Sequence, residues 1–191
     1  MTCAVDNGTG STVQGSIIIS STSGGSGVSV SVNFTGFPSE AAYGPFVYHI
    51  HELAVPANGN CSATMGHLDP TDRGEYYPCV VGAPATCQVG DLAGKHGNIT
   101  LTNFVAQYSD AFLSTNPSSP AFFGNRSVVI HTANTTRITC ANFTLVNSTS
   151  TSTNGTSPTA TQTVVAYTGA AAKLSAFGPV GLLAVGAAFL L

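Results

Sequence analysis

Apolar and polar residues alternate strictly from Val28 to Thr35. Val28, Val30, Val32 and Phe34 take one set of positions, and Ser29, Ser31, Asn33 and Thr35 the other. Successive side chains of a β-strand point to opposite faces, so this stretch predicts a strand with one buried and one solvated face. The run 16–20 predicts its partner, because Gly24-Gly25-Ser26-Gly27 between them has the composition of a hairpin turn. Phe46, Tyr48 and Ile50 share one face of a further strand, which leaves His49 and His51 together on the other. Residues 99–105, 127–131 and 138–145 predict three more strands. In the last of these Ala141, Phe143 and Leu145 oppose Cys140, Asn142 and Thr144. No stretch between residues 13 and 145 sustains a helical period. Short strands with Gly- and Pro-rich connections predict an all-β fold, an antiparallel sandwich or barrel.

Composition narrows the setting. A chain of 191 residues holds one domain of ordinary size plus tails. Charged residues are 7% of it and the net charge is −3, which excludes the basic footprint of a nucleic-acid-binding protein. Five cysteines suit two disulfides and one left over, Cys3, in an oxidising compartment. Cys79 and Cys87, eight apart around Pro84, suit a local disulfide pinning a loop, with a Cys-based metal site as the alternative.

Asn-X-Ser/Thr triplets at Asn7, Asn33, Asn60, Asn98, Asn125, Asn134, Asn142, Asn147 and Asn154 point to the secretory pathway. Glycans are expected at Asn33, Asn98, Asn125 and Asn142, with Asn33 on the polar face of its strand. Residues 1–10 carry neither a basic start nor an apolar run, so no signal peptide is read there and the N-terminus reads as truncated.

The other end is more telling. Residues 148–163 are rich in Ser and Thr with little that could pack, which predicts a disordered, glycosylated stalk. Gly169, Ala170, Ala171 and Ala172 are followed by a short spacer and an apolar tail over 177–191. That tail is too short for a comfortable membrane span of about 20 residues, and the pattern matches a glycosylphosphatidylinositol (GPI) attachment signal with Gly169 as the attachment residue. The chain therefore divides into an N-terminal remnant (1–12), a folded domain (13–146), a stalk (147–168) and a GPI signal (169–191).

The histidines carry the chemistry. His49-x-His51 on one strand face is a ready metal-binding pair. Cys61 and His67 follow as Cys-x5-His, then Gly90-Asp91-Leu92, then the strand ending in His131, then Arg137-x-x-Cys140. These five elements in this order resemble the copper/zinc superoxide dismutase family over roughly residues 13–145, most closely its copper-only, cell-surface fungal branch. The resemblance implies a Greek-key barrel or sandwich of about eight strands. It makes His49, His51, His67 and His131 the copper ligands and Arg137 the residue that guides the anion. It also pairs Cys61 with Cys140, tying the loop that bears His67 to the last strand. Imidazole serves both copper oxidation states moderately well, and a guanidinium beside an open coordination position attracts a small anion.

Departures from the zinc-containing pattern are equally informative. Residues 69–78 contain no His, and Gln88 stands where that pattern has one and where the copper-only branch has an acidic residue. Of the zinc set only Asp91 remains, so zinc is not expected, because it needs about four ligands. Asp91 and Gln88 are instead expected to support the copper ligands by hydrogen bonds. Between His131 and Arg137 stand only Thr132-Ala133-Asn134-Thr135-Thr136, where the zinc enzymes carry a long charged loop, so an open site is expected. A glycan on Asn134 would crowd that site, so this triplet is expected to be unoccupied or to point away. His96 has no metal partner at a suggestive spacing and reads as structural or exposed. The function implied is an extracellular, GPI-anchored, copper-only superoxide dismutase acting on superoxide, with cell-wall polysaccharide as a further partner. The alternative is a non-enzymatic copper-binding or adhesive wall glycoprotein on the same scaffold.

Overall fold

The computed structural model describes residues 2–5, 10–23 and 27–145. The stalk and the GPI signal lie outside the described residues, as do the triplets at Asn7, Asn147 and Asn154. Two antiparallel sheets face each other. One has the order β1 (Thr2–Val5), β2 (Gln14–Ser21), β3 (Val28–Thr35), β5 (Phe104–Asp110). The other has the order β4 (Val47–His51), β6 (Ser127–His131), β7 (Arg137–Asn142). The chain crosses between sheets before and after both β4 and β5, so β3 pairs with β5 and β4 with β6 although neither pair is consecutive in the chain. This is an all-β Greek-key arrangement, with seven strands among the described residues. Two one-turn helices, α1 (Glu40–Tyr43) and α2 (Leu92–His96), lie in the connections.

The alternation in β3 works as expected: Val28, Val30, Val32 and Phe34 are buried, while Ser29 and Asn33 are exposed. Ile17 and Ile19 from β2 join them. Phe46, Tyr48, Ile50, Val128, Ile130 and Ala141 close the core from the other sheet. Aromatic edges interlock across it, with the Phe34 and Tyr48 ring centroids 6.2 Å apart.

Three boundaries differ from the sequence expectation. Thr2–Val5 form a strand in register with β2, Thr2 opposite Ile18 and Val5 opposite Gly15, although nothing periodic marks them. The strand expected over 99–105 runs instead from Phe104 to Asp110, because Phe104, Ala106 and Tyr108 are in phase to pack on the core whereas Leu101 is exposed. Ile99 contributes only an isolated bridge to Phe46. β7 ends at Asn142, and beyond it Leu145 has no core to cover it.

The outer face of the three-stranded sheet is not solvated. His49, His51, Val129, His131 and Cys140 all lie there, and all are buried. The segment after β4 folds over this face and is pinned by the Cys61–Cys140 disulfide, whose Cα atoms are 5.6 Å apart. Cys79 pairs with Cys87. Asn33, Asn98 and Asn125 are exposed. Asn142 is half-buried: its side-chain oxygen accepts from the Val55 N–H and its nitrogen donates to the Val55 carbonyl at 2.8 Å.

Candidate metal centre

Four imidazoles converge on that covered face. β4 and β6 are neighbours in register, with Val47 opposite His131 and His49 opposite Val129. The period of two therefore brings His49, His51 and His131 to one side of the sheet. A bulge between Ile130 and His131 re-aims the end of β6. His67 arrives by a different route. The free edge of β4 is occupied by loop backbone: Leu68 N–H donates to Ile50 O at 2.8 Å, and Ile50 N–H donates to Gly90 O at 2.9 Å. Gly90 N–H in turn donates to Leu68 O at 2.7 Å. A Cβ on Gly90 would lie 2.2 Å from the Ile50 carbonyl oxygen, so only glycine allows this approach. This lacing seats His67 beside His51 and delivers Gln88 and Asp91, which flank Gly90, to the same place.

Hydrogen bonds to fixed acceptors set which nitrogen of each ring is bare. His51 Nδ1–H donates to the Met65 carbonyl at 2.9 Å, and His131 Nδ1–H donates to the Thr135 carbonyl at 3.1 Å. A carbonyl only accepts, so the proton must sit on Nδ1 and leave Nε2 bare. Gln88 Oε1 lies 2.5 Å from His67 Nδ1, and Gln88 Nε2 faces Asp69 Oδ2 at 3.4 Å, which orients the amide oxygen toward the ring. His49 is reversed. Its Nε2 lies 3.4 Å from Asp91 Oδ1, and its buried Nδ1 has no partner.

The consequence is four ring nitrogens, all within 4.8 Å of one another, turned inward with free lone pairs. His51 Nε2 and His131 Nε2 stand 3.1 Å apart. Two bare lone pairs at that distance repel, and a buried nitrogen without a partner is costly. A cation among them removes both penalties, so the donor set fits a metal ion bound through His49 Nδ1 and the Nε2 atoms of His51, His67 and His131. Imidazole-only ligation suits copper and other borderline transition metals. Burial disfavours the charged form of His49, His51 and His131. It lowers His49 well below the ordinary histidine range, helped by the neighbouring rings, and lowers His51 to about 3. His131 is also lowered by burial, partly offset by its bond to Thr135.

Arg137 opens β7 at the rim. Its guanidinium donates to the Cys61 carbonyl at 2.6 Å, Thr64 Oγ1 at 2.9 Å and the Met65 carbonyl at 2.6 Å. Three of its five N–H groups are spent on the loop and two remain. The cavity above the rings measures about 380 Å³ and is bordered by Val47, Glu75, Thr135 and Arg137. A larger cavity of about 540 Å³ lies behind His67, next to Gln88 and Asp69, and does not hold the converging nitrogens. Asn134 is exposed, with its side-chain oxygen accepting from Thr132 Oγ1 at 2.6 Å to hold the turn. Among the described residues His96 joins no metal group; it pairs with Asp110 and stacks on Tyr108. Sequence reasoning did not find the carbonyls of Met65 and Thr135 or the rim carboxylate Glu75. Backbone acceptors leave no trace in residue identity, and Glu75 follows no motif.

The solved structure of superoxide dismutase 5 of Candida albicans in its Cu(II) form matches with a TM-score of 0.66 and 41% identity, over 74% of this chain and 88% of that one. This chain belongs to the superoxide dismutases. In sequence it is 46% identical over 138 residues to the Cell surface Cu-only superoxide dismutase 5 of Candida albicans, and 50% identical over 110 residues to the Cell surface Cu-only superoxide dismutase of Arthroderma benhamiae. These alignments span 57% and 30% of the relatives' own lengths. No protein-family model matches the chain.

Proposed function

We propose that the chain is a copper-only superoxide dismutase of the cell surface, converting two superoxide anions and two protons into dioxygen and hydrogen peroxide. The observation that carries this is the inward set of four bare imidazole nitrogens with Arg137 fixed at its rim. Copper held by His49, His51, His67 and His131 supplies one-electron chemistry by alternating between its two oxidation states. The remaining work falls to the chain itself. Arg137 draws a small anion into the cavity and orients it with its two free N–H groups. The Asp91, Met65, Thr135 and Gln88 acceptors hold the rings so that little rearranges between oxidation states. Gln88 carries no titratable proton, so both protons are drawn from the open cavity, which Glu75 borders.

Zinc has no place in this reading. Asp91 leans on His49 and caps α2 through the Gly94 N–H, and His67 Nδ1 is engaged by Gln88. Among the described residues the four imidazoles are the one group of His, Cys, Asp and Glu side chains that converges. The names of the relatives and the run of glycosylation triplets support a cell-surface location. A glycolipid at Gly169, and contact with wall polysaccharide, complete the proposal.

The demetallated protein should be reloaded with copper, zinc or both, and its consumption of superoxide measured. Copper alone is expected to restore full activity. A requirement for stoichiometric zinc would overturn the copper-only assignment. Copper-bound protein that leaves superoxide untouched would make the chain a copper-binding or adhesive glycoprotein instead. Recovery of a peptide containing residues 180–191 from the surface form would contradict the anchor.

A further inference from the structure

Asp91 and Gln88 each contact a metal-site imidazole, and the segment that carries them is held at Gly90 by the lacing to β4 and by the burial of Val89. α2, which follows directly, has five residues, far short of the length at which a helix persists unaided. Besides the burial of Leu92 and Ala93, a buried charged cluster fastens it. Lys95 Nζ, with its side chain fully buried, donates to Asp110 Oδ2 at 2.6 Å and to the Val89 carbonyl at 2.7 Å. His96 Nε2 lies 2.8 Å from the same Asp110 oxygen. Asp110 Oδ1 accepts the N–H groups of Phe112 and Leu113 at 2.8 and 2.9 Å. Burial raises the Asp110 carboxyl, but the bonds from His96 and Lys95 outweigh it and keep the group ionised.

The cluster reaches the metal centre along two lines. Through Lys95 and the Val89 carbonyl it fixes the backbone between Gln88 and Gly90. Through His96, stacked on Tyr108 with centroids 3.8 Å apart, it continues to Tyr48, whose hydroxyl shares a 3.1 Å hydrogen bond with that of Tyr108. Tyr48 immediately precedes His49. A buried ion pair is a poor source of stability, since well-packed apolar residues commonly do as well, but it specifies orientation strictly.

We propose that Lys95, Asp110 and His96 form a positioning element for the metal centre, setting Asp91 against His49 and Gln88 against His67. The inference rests on reading the four imidazoles as a copper site. None of the three residues touches the metal; they act through the side chains that orient its ligands.

The test uses the full chain loaded with copper, comparing wild type with Asp110→Asn, Lys95→Met and His96→Phe. The last keeps an aromatic ring on Tyr108 and removes only the bond to Asp110. Val32→Ala, a core truncation in β3 whose partner in β5 is Ala106 and not Tyr108 or Asp110, serves as a control for lost stability. Copper affinity is measured by chelator competition, and the Cu(II) electron paramagnetic resonance spectrum is recorded on folded protein. Affinity should fall about ten- to a hundredfold in the cluster variants, as for other outer partners of metal ligands. Their spectra should shift while that of Val32→Ala stays as wild type. Should Asp110→Asn fail to fold, Lys95→Met and His96→Phe decide the matter. Wild-type affinity and spectrum in the cluster variants would overturn the inference alone. Losses that match Val32→Ala at equal stability would reduce the cluster to a structural role and overturn it too. A wild-type chain that takes up no copper would overturn both this inference and the proposed function.

Discussion

Removing the Cys61–Cys140 disulfide should damage both stability and chemistry, whereas removing Cys79–Cys87 should damage stability less and chemistry far less. The first bond closes a loop of 79 residues and the second a loop of 8. In the chain-entropy account these contribute about 4.5 and about 2.5 kcal/mol. The gap of about 2 kcal/mol corresponds to roughly 5–10 °C in Tm for a domain of this size. Double substitutions, Cys61→Ala with Cys140→Ala and Cys79→Ala with Cys87→Ala, avoid stray thiols. The chemical effect follows from what Cys61 begins. Its carbonyl accepts from Arg137, and the short 3-10 turn Cys61–Thr64 leads directly into Met65, whose carbonyl serves both His51 and Arg137. Thermal unfolding, chelator competition for copper and superoxide consumption should be measured on both variants. Equal losses of stability, or unchanged copper affinity in the folded Cys61 and Cys140 variant, would refute the reasoning.

Arg137→Ala should keep copper and lose rate by roughly one to two orders of magnitude, with a flatter dependence on ionic strength, because steering of the anion is electrostatic. Arg137→Lys should recover only part of that rate, since an ammonium cannot make the three directed loop bonds at once. Acid stability should report Asp110. Its folded pKa lies below the ordinary value, so its contribution is present above about pH 4 and is lost as pH falls below that. The stability gap between wild type and Asp110→Asn should therefore be widest near neutrality and close in acid; a gap independent of pH would refute this. Glycopeptide mapping should find glycans at Asn33, Asn98 and Asn125 and none at Asn142. Asn142→Ala should cost about 1–3 kcal/mol by stranding both polar groups of Val55. An Asn142 glycan on folded protein would contradict it.

The parts of the fold that were legible are those whose burial is set by immediate neighbours. β3 has partners on both edges and one covered face, so its period of two is undiluted. β6 could not be read the same way, because every one of its five residues is buried. Its second face is covered by a loop anchored through a bond spanning 79 residues, and no local window contains that fact. The four histidines that converge were legible from their order and spacing, through the family resemblance those carry. The choice of nitrogen was not, since it depends on Met65 and Thr135 carbonyls that any residue could supply. Nothing in Gly94-Lys95-His96-Gly97 marks Lys95 as buried; only the fold brings Asp110 to it.

The lacing of Leu68 and Gly90 onto β4 has a consequence for solubility. β4 is the outer strand of its sheet, and Phe46 to Ile50 is apolar, β-prone and uncharged apart from the histidine. An edge of that kind, left bare, is a template on which a second molecule can add a strand. Here the loops that carry the metal-site residues also occupy the edge, with Ile50 using both its N–H and its carbonyl on them. Any treatment that frees those loops, reduction or metal withdrawal alike, uncovers the hydrogen-bonding groups of β4. Self-association should then begin at this strand, and its rate should follow the fraction of loops released rather than the fraction of chains unfolded.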